Sequence, residues 1–258
     1  MTWILGSASP FGYGALISDT CVTFPDGSQH EMLQKVHPVG RMLVAGFAGS
    51  VRIGYHMLWD MSLAFVLETD EIWYPRIAAW QWHRRGRRLF AQAQLEERRL
   101  HCSLLLVGAT AELNGPFNRA YCIRMRSPDF LPEFVRHAHW VSIGNGAAHE
   151  YARTLAQNAR VHFETHGPME VGSQFGSAFS TATIVGVALQ RAPIRGVGEA
   201  LQVAIASADT CHVRDLRTSL PSRDGAVPRT IEVDVARSWL EFRDRCSQLG
   251  HATACATA

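Results

Sequence analysis

The sequence predicts an α+β protein built as one domain, and two observations carry that reading. Extended and helical segments come in blocks rather than in strict alternation, which disfavours a doubly wound parallel sheet. The first fifty residues are punctuated by hairpin turn signals, so their strands read as antiparallel. No internal repeat, low-complexity tract or linker divides the 258 residues. Residues 1–250 are therefore read as a single domain with a helical insertion around 71–100, and 251–258 as a frayed, small-residue tail.

Thr2 to Ala8 is a short apolar run, broken by Ser9-Pro10 and Gly12-Tyr13-Gly14, and Ala15 to Asp19 resumes an extended pattern. Pro25-Asp26-Gly27-Ser28 is a strong turn signal. Gln34 to His37 and Met42 to Phe47 read as two strands joined by a tight turn at Pro38-Val39-Gly40. Ser50 is placed to cap a helix in which Ile53, Met57, Leu58, Met61 and Phe65 recur at helical spacing. Glu71 to Leu100 is a second helical stretch, with interruptions expected near Pro75 and Gly86. His101 to Gly108 and Arg119 to Met125 read as antiparallel strands across Asn114-Gly115-Pro116, and Trp140 to Ile143 as another strand. Helical patterns follow over Ala147 to Phe163 and Val197 to Cys211, with a loop or insertion expected at Gly167 to Ser180. Thr183 to Leu189 and Thr230 to Val235 read as strands, and Ala236 to Leu249 as a closing helix.

A hydrophobic fraction of 47% with 19% charged residues describes an ordinary globular chain with a sizeable core. The formal net charge of +2 gives no overall field that calls for a nucleic-acid or membrane partner. None of the six cysteines pairs as C-x-x-C or stands at zinc-ligand spacing with histidines, so neither a structural metal nor a disulfide framework is expected. The N-terminus lacks the basic and apolar regions of a signal peptide, and no apolar stretch is long enough to span a bilayer. The expectation is a reduced, cytoplasmic protein without a metal or cofactor.

The chemistry is concentrated near the N-terminus. Thr2 opens a strand, Ile17-Ser18-Asp19-Thr20 ends the next, Lys35-Val36-His37 belongs to another, and Ala45-Gly46-Phe47-Ala48-Gly49-Ser50 turns into a helix. In this order and spacing the set resembles the proteasome β-subunit family, especially its bacterial ring-forming peptidases. The Thr-Trp-Ile start and the longer helical insertion resemble most the branch found in β-proteobacteria. The resemblance implies a four-layer αββα sandwich of two antiparallel sheets, the N-terminal-nucleophile hydrolase fold, and a threonine endopeptidase with Thr2 exposed by removal of Met1. A threonine hydroxyl is a poor nucleophile without an adjacent base. An N-terminal threonine carries its own, an α-amino group with an ordinary pKa of about 7.7–8.0.

By the same resemblance Lys35 is the buried lysine beside the nucleophile, its ammonium favouring the deprotonated amine, and Asp19 is its partner. Gly49 is the residue whose backbone N–H meets the oxyanion, although a strand-to-helix turn glycine would look the same. Thr23 pairs with an extended substrate. Phe47 and Val51 line the specificity pocket, and both also suit ordinary core. Ser142-Ile143-Gly144-Asn145-Gly146 resembles a family segment in which Asn145 replaces serine. Ala206 to His212 resembles a later helix end, where Asp209 supports the N-terminus and His212 replaces serine. Asn145 and His212 read equally as a helix cap and an ordinary satisfied histidine.

The implied partners are unfolded polypeptides, further copies in a homo-oligomeric double ring of heptameric rings, and an ATP-dependent unfoldase. Alternatives are a small-substrate amidase of the same superfamily, a catalytically weak ring acting as scaffold, and a nucleic-acid module. The last rests on His83-Arg84-Arg85-Gly86-Arg87-Arg88, flanked by Trp80, Trp82 and Phe90. A solvated helix face or subunit contact is the favoured reading of that run, because the near-neutral charge argues against nucleic acid. His162 and His166 stand at i and i+4 but lack the remainder of a zinc motif.

Overall fold

The computed structural model describes residues 3–9, 12–66, 74–110, 119–136, 139–144, 185, 186, 189, 194, 196–198, 200–207, 211–218, 230, 231 and 234–251, with backbone alone at 212, 214–218, 230 and 231. The elements run β1 (Ile4–Ala8), β2 (Gly14–Asp19), β3 (Cys21–Thr23), β4 (Gln29–Glu31), β5 (Val36–Gly40), β6 (Leu43–Gly49), α1 (Val51–Val66), α2 (Pro75–Gln92) and α3 (Leu95–Arg99). They continue as β7 (Cys102–Thr110), β8 (Arg119–Arg126), β9 (Glu133–Val135), β10 (Val141–Ile143), β11 (Ala200–Ala206), β12 (Cys211–Thr218), β13 (Thr230–Ile231) and α4 (Trp239–Gln248). The class is mixed α+β with antiparallel sheets. One sheet has the order β10-β1-β2-β11-β12-β13, another β5-β6-β7-β8-β9, and β3-β4 forms a separate hairpin.

Strand alternation explains how the large sheets stack. In β1, β2, β6, β7 and β11 one face carries Ile4, Leu16, Val44, Leu105, Val107 and Ala204, which form a shared apolar layer between the sheets. Glycines let the sheets approach: a Cβ on Gly6 would stand 2.8 Å from Leu105, and one on Gly14 2.8 Å from Val107. The alternate residues of the second sheet, including Phe47, Leu104, Leu106 and Ile123, pack against α1, α2 and α4 through Met57, Met61, Trp82 and Phe242. The alternate residues of the first sheet, including Leu5, Ile17, Val203 and Ile205, are buried with Val185, Leu189 and Ile194.

Several expectations hold and several are corrected. Ser50 caps α1, its Oγ accepting from the Ile53 N–H at 3.2 Å. The Pro25–Ser28 turn closes the β3–β4 hairpin, with Gly27 at φ 88° and the Asp26 carboxylate accepting from Ser28. The turn after β5, however, falls at Arg41-Met42. Pro38 to Gly40 stays in the strand with a register shift, which an edge strand tolerates because a proline there need not donate. Pro75 starts α2 rather than interrupting it, and Gly86 lies inside the helix, where a Cβ would meet the Trp82 ring at 2.5 Å. The break falls instead at Ala93-Gln94.

Val197 to Cys211, expected as a helix, contains β11 and the start of β12. β11 lies between β2 and β12 and is buried on both faces, so its apolar run lacks the alternation that marks a strand. Within Thr183 to Leu189, expected as a strand, the described residues Val185, Gly186 and Leu189 are helical. The expected helix at 147–163 and the insertion at 167–180 lie outside the described residues. His251 is not frayed: it stacks on Phe24 with ring centroids 4.1 Å apart. Cys246 is disulfide-bonded, so a wholly reduced chain is corrected there, while Cys21, Cys102, Cys122 and Cys211 are free thiols. No described helix is long and apolar enough to cross a membrane.

Candidate active site

Lys35 and Asp19 are both fully buried and form an ion pair, Nζ to Oδ2, of 2.9 Å. The lysine lies just before β5 and the aspartate ends β2, so the contact joins the two stacked sheets at one end. A buried charge is tolerable only when its hydrogen-bonding capacity is met, and the surrounding backbone meets it for the carboxylate. Asp19 Oδ1 accepts from the Trp3 N–H at 2.8 Å, and Oδ2 from the Cys21 N–H at 3.0 Å and the Gly198 N–H at 3.3 Å. Lys35 Nζ also donates to the Cys21 carbonyl at 2.5 Å. An ammonium has three donors. Among the described residues two acceptors meet it, Asp19 and Cys21.

The Lys35 backbone is held as well. Its N–H donates to the buried Gln202 Oε1 at 2.8 Å, and its carbonyl accepts from the Phe47 N–H at 3.2 Å. Gly49 therefore lies two residues beyond Lys35 along β6, roughly 7 Å at strand rise. It has φ 109°, and a Cβ there would stand 2.4 Å from the His101 carbonyl oxygen, so only glycine fits. Its backbone is exposed, unlike the rest of β6.

Strand register assigns the other expected site residues. The Asp19 N–H donates to the Trp3 carbonyl at 3.2 Å, so Trp3 stands level with Asp19. Thr2, Asn145 and Asp209 lie outside the described residues. Thr2 is bonded to the Trp3 nitrogen that Asp19 holds. β10 pairs Ile143 with Ile4, so the chain leading to Asn145 ends at the same end of the sheet as Lys35.

His212 is not brought to this end. Asp19 pairs with Leu201, whereas Ala206 and Cys211 pair with each other at the Gly14 end of β2, and His212 pairs with Ile205. Ile205 stands four residue steps along β11 from Leu201, roughly 13 Å of strand. The described residues on either side of 208–210, expected to end a helix, pair as antiparallel strands. His212 is therefore corrected as a support of the candidate site.

Thr23 ends β3, whose only strand partner among the described residues is β4, and its Oγ1 is buried without a hydrogen-bond partner among them. Phe47 and Val51 are both in the helix-side core rather than at a surface pocket. Alternation turns Phe47 towards α1, where it packs on Gly54 and on Tyr55 at 5.4 Å. Residues that the motif reading missed are Cys21, Gly198 and Gln202. Gln202 had a signal, a lone polar residue in an apolar run. Gly198 had another, the Gly196-Val197-Gly198 pair before a strand: a Cβ on Gly198 would meet the Cys21 Cβ at 2.8 Å.

Among the described residues Cys21 is the thiol beside the ion pair. Burial, and then the Asp19 carboxylate, push its pKa up to about 11 against the opposing pull of Lys35, so it is protonated and a poor nucleophile. No group of three or more His, Cys, Asp or Glu among the described residues is placed to share a metal ion. No protein-family model matches the chain, and no curated protein matches it.

Proposed function

We propose that the chain is a threonine-type N-terminal-nucleophile endopeptidase subunit of the proteasome β type, with Thr2 as nucleophile once Met1 is removed. The observation that carries this reading is the buried Lys35 ammonium, tied through Asp19 to the nitrogen of the residue that follows Thr2. A purely structural ion pair is costly to bury and is often matched in stability by apolar residues. One that grips the first strand next to a candidate nucleophile has a chemical use.

In the proposed reaction the Thr2 hydroxyl attacks the scissile carbonyl and its proton passes to the Thr2 α-amine. Lys35 favours the free amine by its charge. The Gly49 N–H, on backbone that is open to solvent, meets the oxyanion. Collapse breaks the C–N bond, the leaving amine takes the proton, and water hydrolyses the acyl ester to restore Thr2. An extended substrate adds to the open edge of β3 at Thr23.

On this reading Val185 and Leu189, one helical turn apart and buried with the first sheet, belong to the fourth layer of an αββα sandwich. The subunits assemble into a homo-oligomeric double ring with heptameric rings, which admits unfolded polypeptides delivered by an ATP-dependent unfoldase. A second reading, a catalytically weak ring acting as scaffold, is favoured by one observation: His212 stands at the end of the sheet away from Lys35.

Hydrolysis of a fluorogenic peptide tests the choice. Thr2→Ala and Lys35→Ala are expected to lower the rate by about 10²–10⁴-fold, and Thr2→Ser to retain a measurable part of it. Equal rates in wild type and Thr2→Ala would reject the peptidase reading.

A further inference from the structure

We propose that the outer face of α2, with the loop between β8 and β9, forms a binding cleft for single-stranded nucleic acid. The near-zero net charge of the chain conceals how its cations are distributed. α2 carries Arg76, Arg84, Arg85, Arg87 and Arg88 and no carboxylate. Two of these are engaged elsewhere: Arg85 pairs with the buried Asp60 at 2.7 Å, and Arg76 lies over the Phe134 ring at 5.5 Å. Arg87 faces Asp129 at 3.9 Å with both side chains more than half exposed, a pair of little net strength. Arg84 and Arg88 have no acidic partner among the described residues.

Arg84, Arg87 and Arg88 share one helix face at i, i+3 and i+4. With His83, Asp129 and Leu131 they bound a cleft of about 590 Å³. Trp80 lies one turn before Arg84 on the same side, is 46% exposed, and meets the His83 ring edge-on at 5.4 Å. From Trp80 to Arg88 the helix runs roughly 12 Å. Guanidinium groups bind phosphate oxygens in forked pairs. An exposed indole beside them is the stacking surface that single strands use without regard to sequence. The recess between helix and loop suits a strand rather than a flat bilayer, and an acidic peptide gains nothing from the indole face.

Fluorescence anisotropy with a labelled oligothymidylate tests this on the intact protein, with Thr2→Ala as a control for independence from hydrolysis. Affinity should fall with salt with a log–log slope of about −2, the value for three phosphate contacts on a single strand. Arg84→Gln/Arg87→Gln/Arg88→Gln should abolish that slope with an unchanged melting temperature, because all three side chains are exposed. Trp80→Ala should weaken binding roughly tenfold at fixed salt. Absence of binding at low salt, binding indifferent to the triple substitution, or equal displacement by polyglutamate or by anionic vesicles would overturn the proposal. None of these results bears on Thr2.

Discussion

Lys35 is the residue on which the proposed chemistry turns, and its neighbours show what a sequence can and cannot convey. A lysine and an aspartate sixteen positions apart were legible as partners only through their place in a motif. Their complete burial, and two of the three backbone N–H groups that converge on the carboxylate, those of Trp3 and Gly198, depend on segments far apart in the chain. His37, two residues on, makes a separate prediction. Burial lowers its pKa to about 4, only partly offset by its bond to the Gln34 carbonyl. The unfolded chain takes up a proton below about 6.5 while the fold resists it, so stability is full above that pH and falls towards pH 4. Denaturant melts should show roughly 1–3 kcal/mol lost across that window, and His37→Gln should flatten the loss. A His37→Gln profile identical to wild type would show that the ring is not held neutral by the fold.

Among the elements, α1 was the most legible and β11 the least. The Ser50 cap and the apolar spacing from Ile53 to Phe65 mark α1 locally, and local signals survive folding unchanged. Gly54 was silent in the sequence because its meaning is tertiary: a Cβ there would stand 2.1 Å from the Phe47 ring. Gly54→Ala should therefore destabilise the protein by about 1–3 kcal/mol despite its better helix propensity, as read by urea denaturation. A neutral or stabilising result would mean that Phe47 can move aside. β11 misled for the opposite reason. A strand buried on both faces carries no polar alternation, so nothing local separates it from a helix, and the misreading placed Asp209 and His212 at a helix end. Only the pairing of β11 with β2 and β12 shows that His212 lies in a strand at the far end of the sheet.

At the scale of the molecule, two antiparallel sheets pack face to face and helices cover the second, while a helical residue pair packs on the first. The α+β class was legible from the blocks of hairpins and helices. The stacking of two sheets came only as an implication of the family resemblance, because the alternation that produces it is masked by strands with apolar residues on both sides. The sheets bring the start of β1, Asp19, Lys35 and the exposed end of β6 together at one end, and a nucleophile at the head of β1 would complete that arrangement. The most direct measurement is intact mass of the purified protein before and after a peptide-like electrophile, with the modified residue located by fragmentation. The expected result is loss of Met1 and one adduct on Thr2, absent in Thr2→Ala and slowed in Lys35→Ala. Retention of Met1 throughout, or an adduct that persists in Thr2→Ala, would contradict Thr2 as the nucleophile.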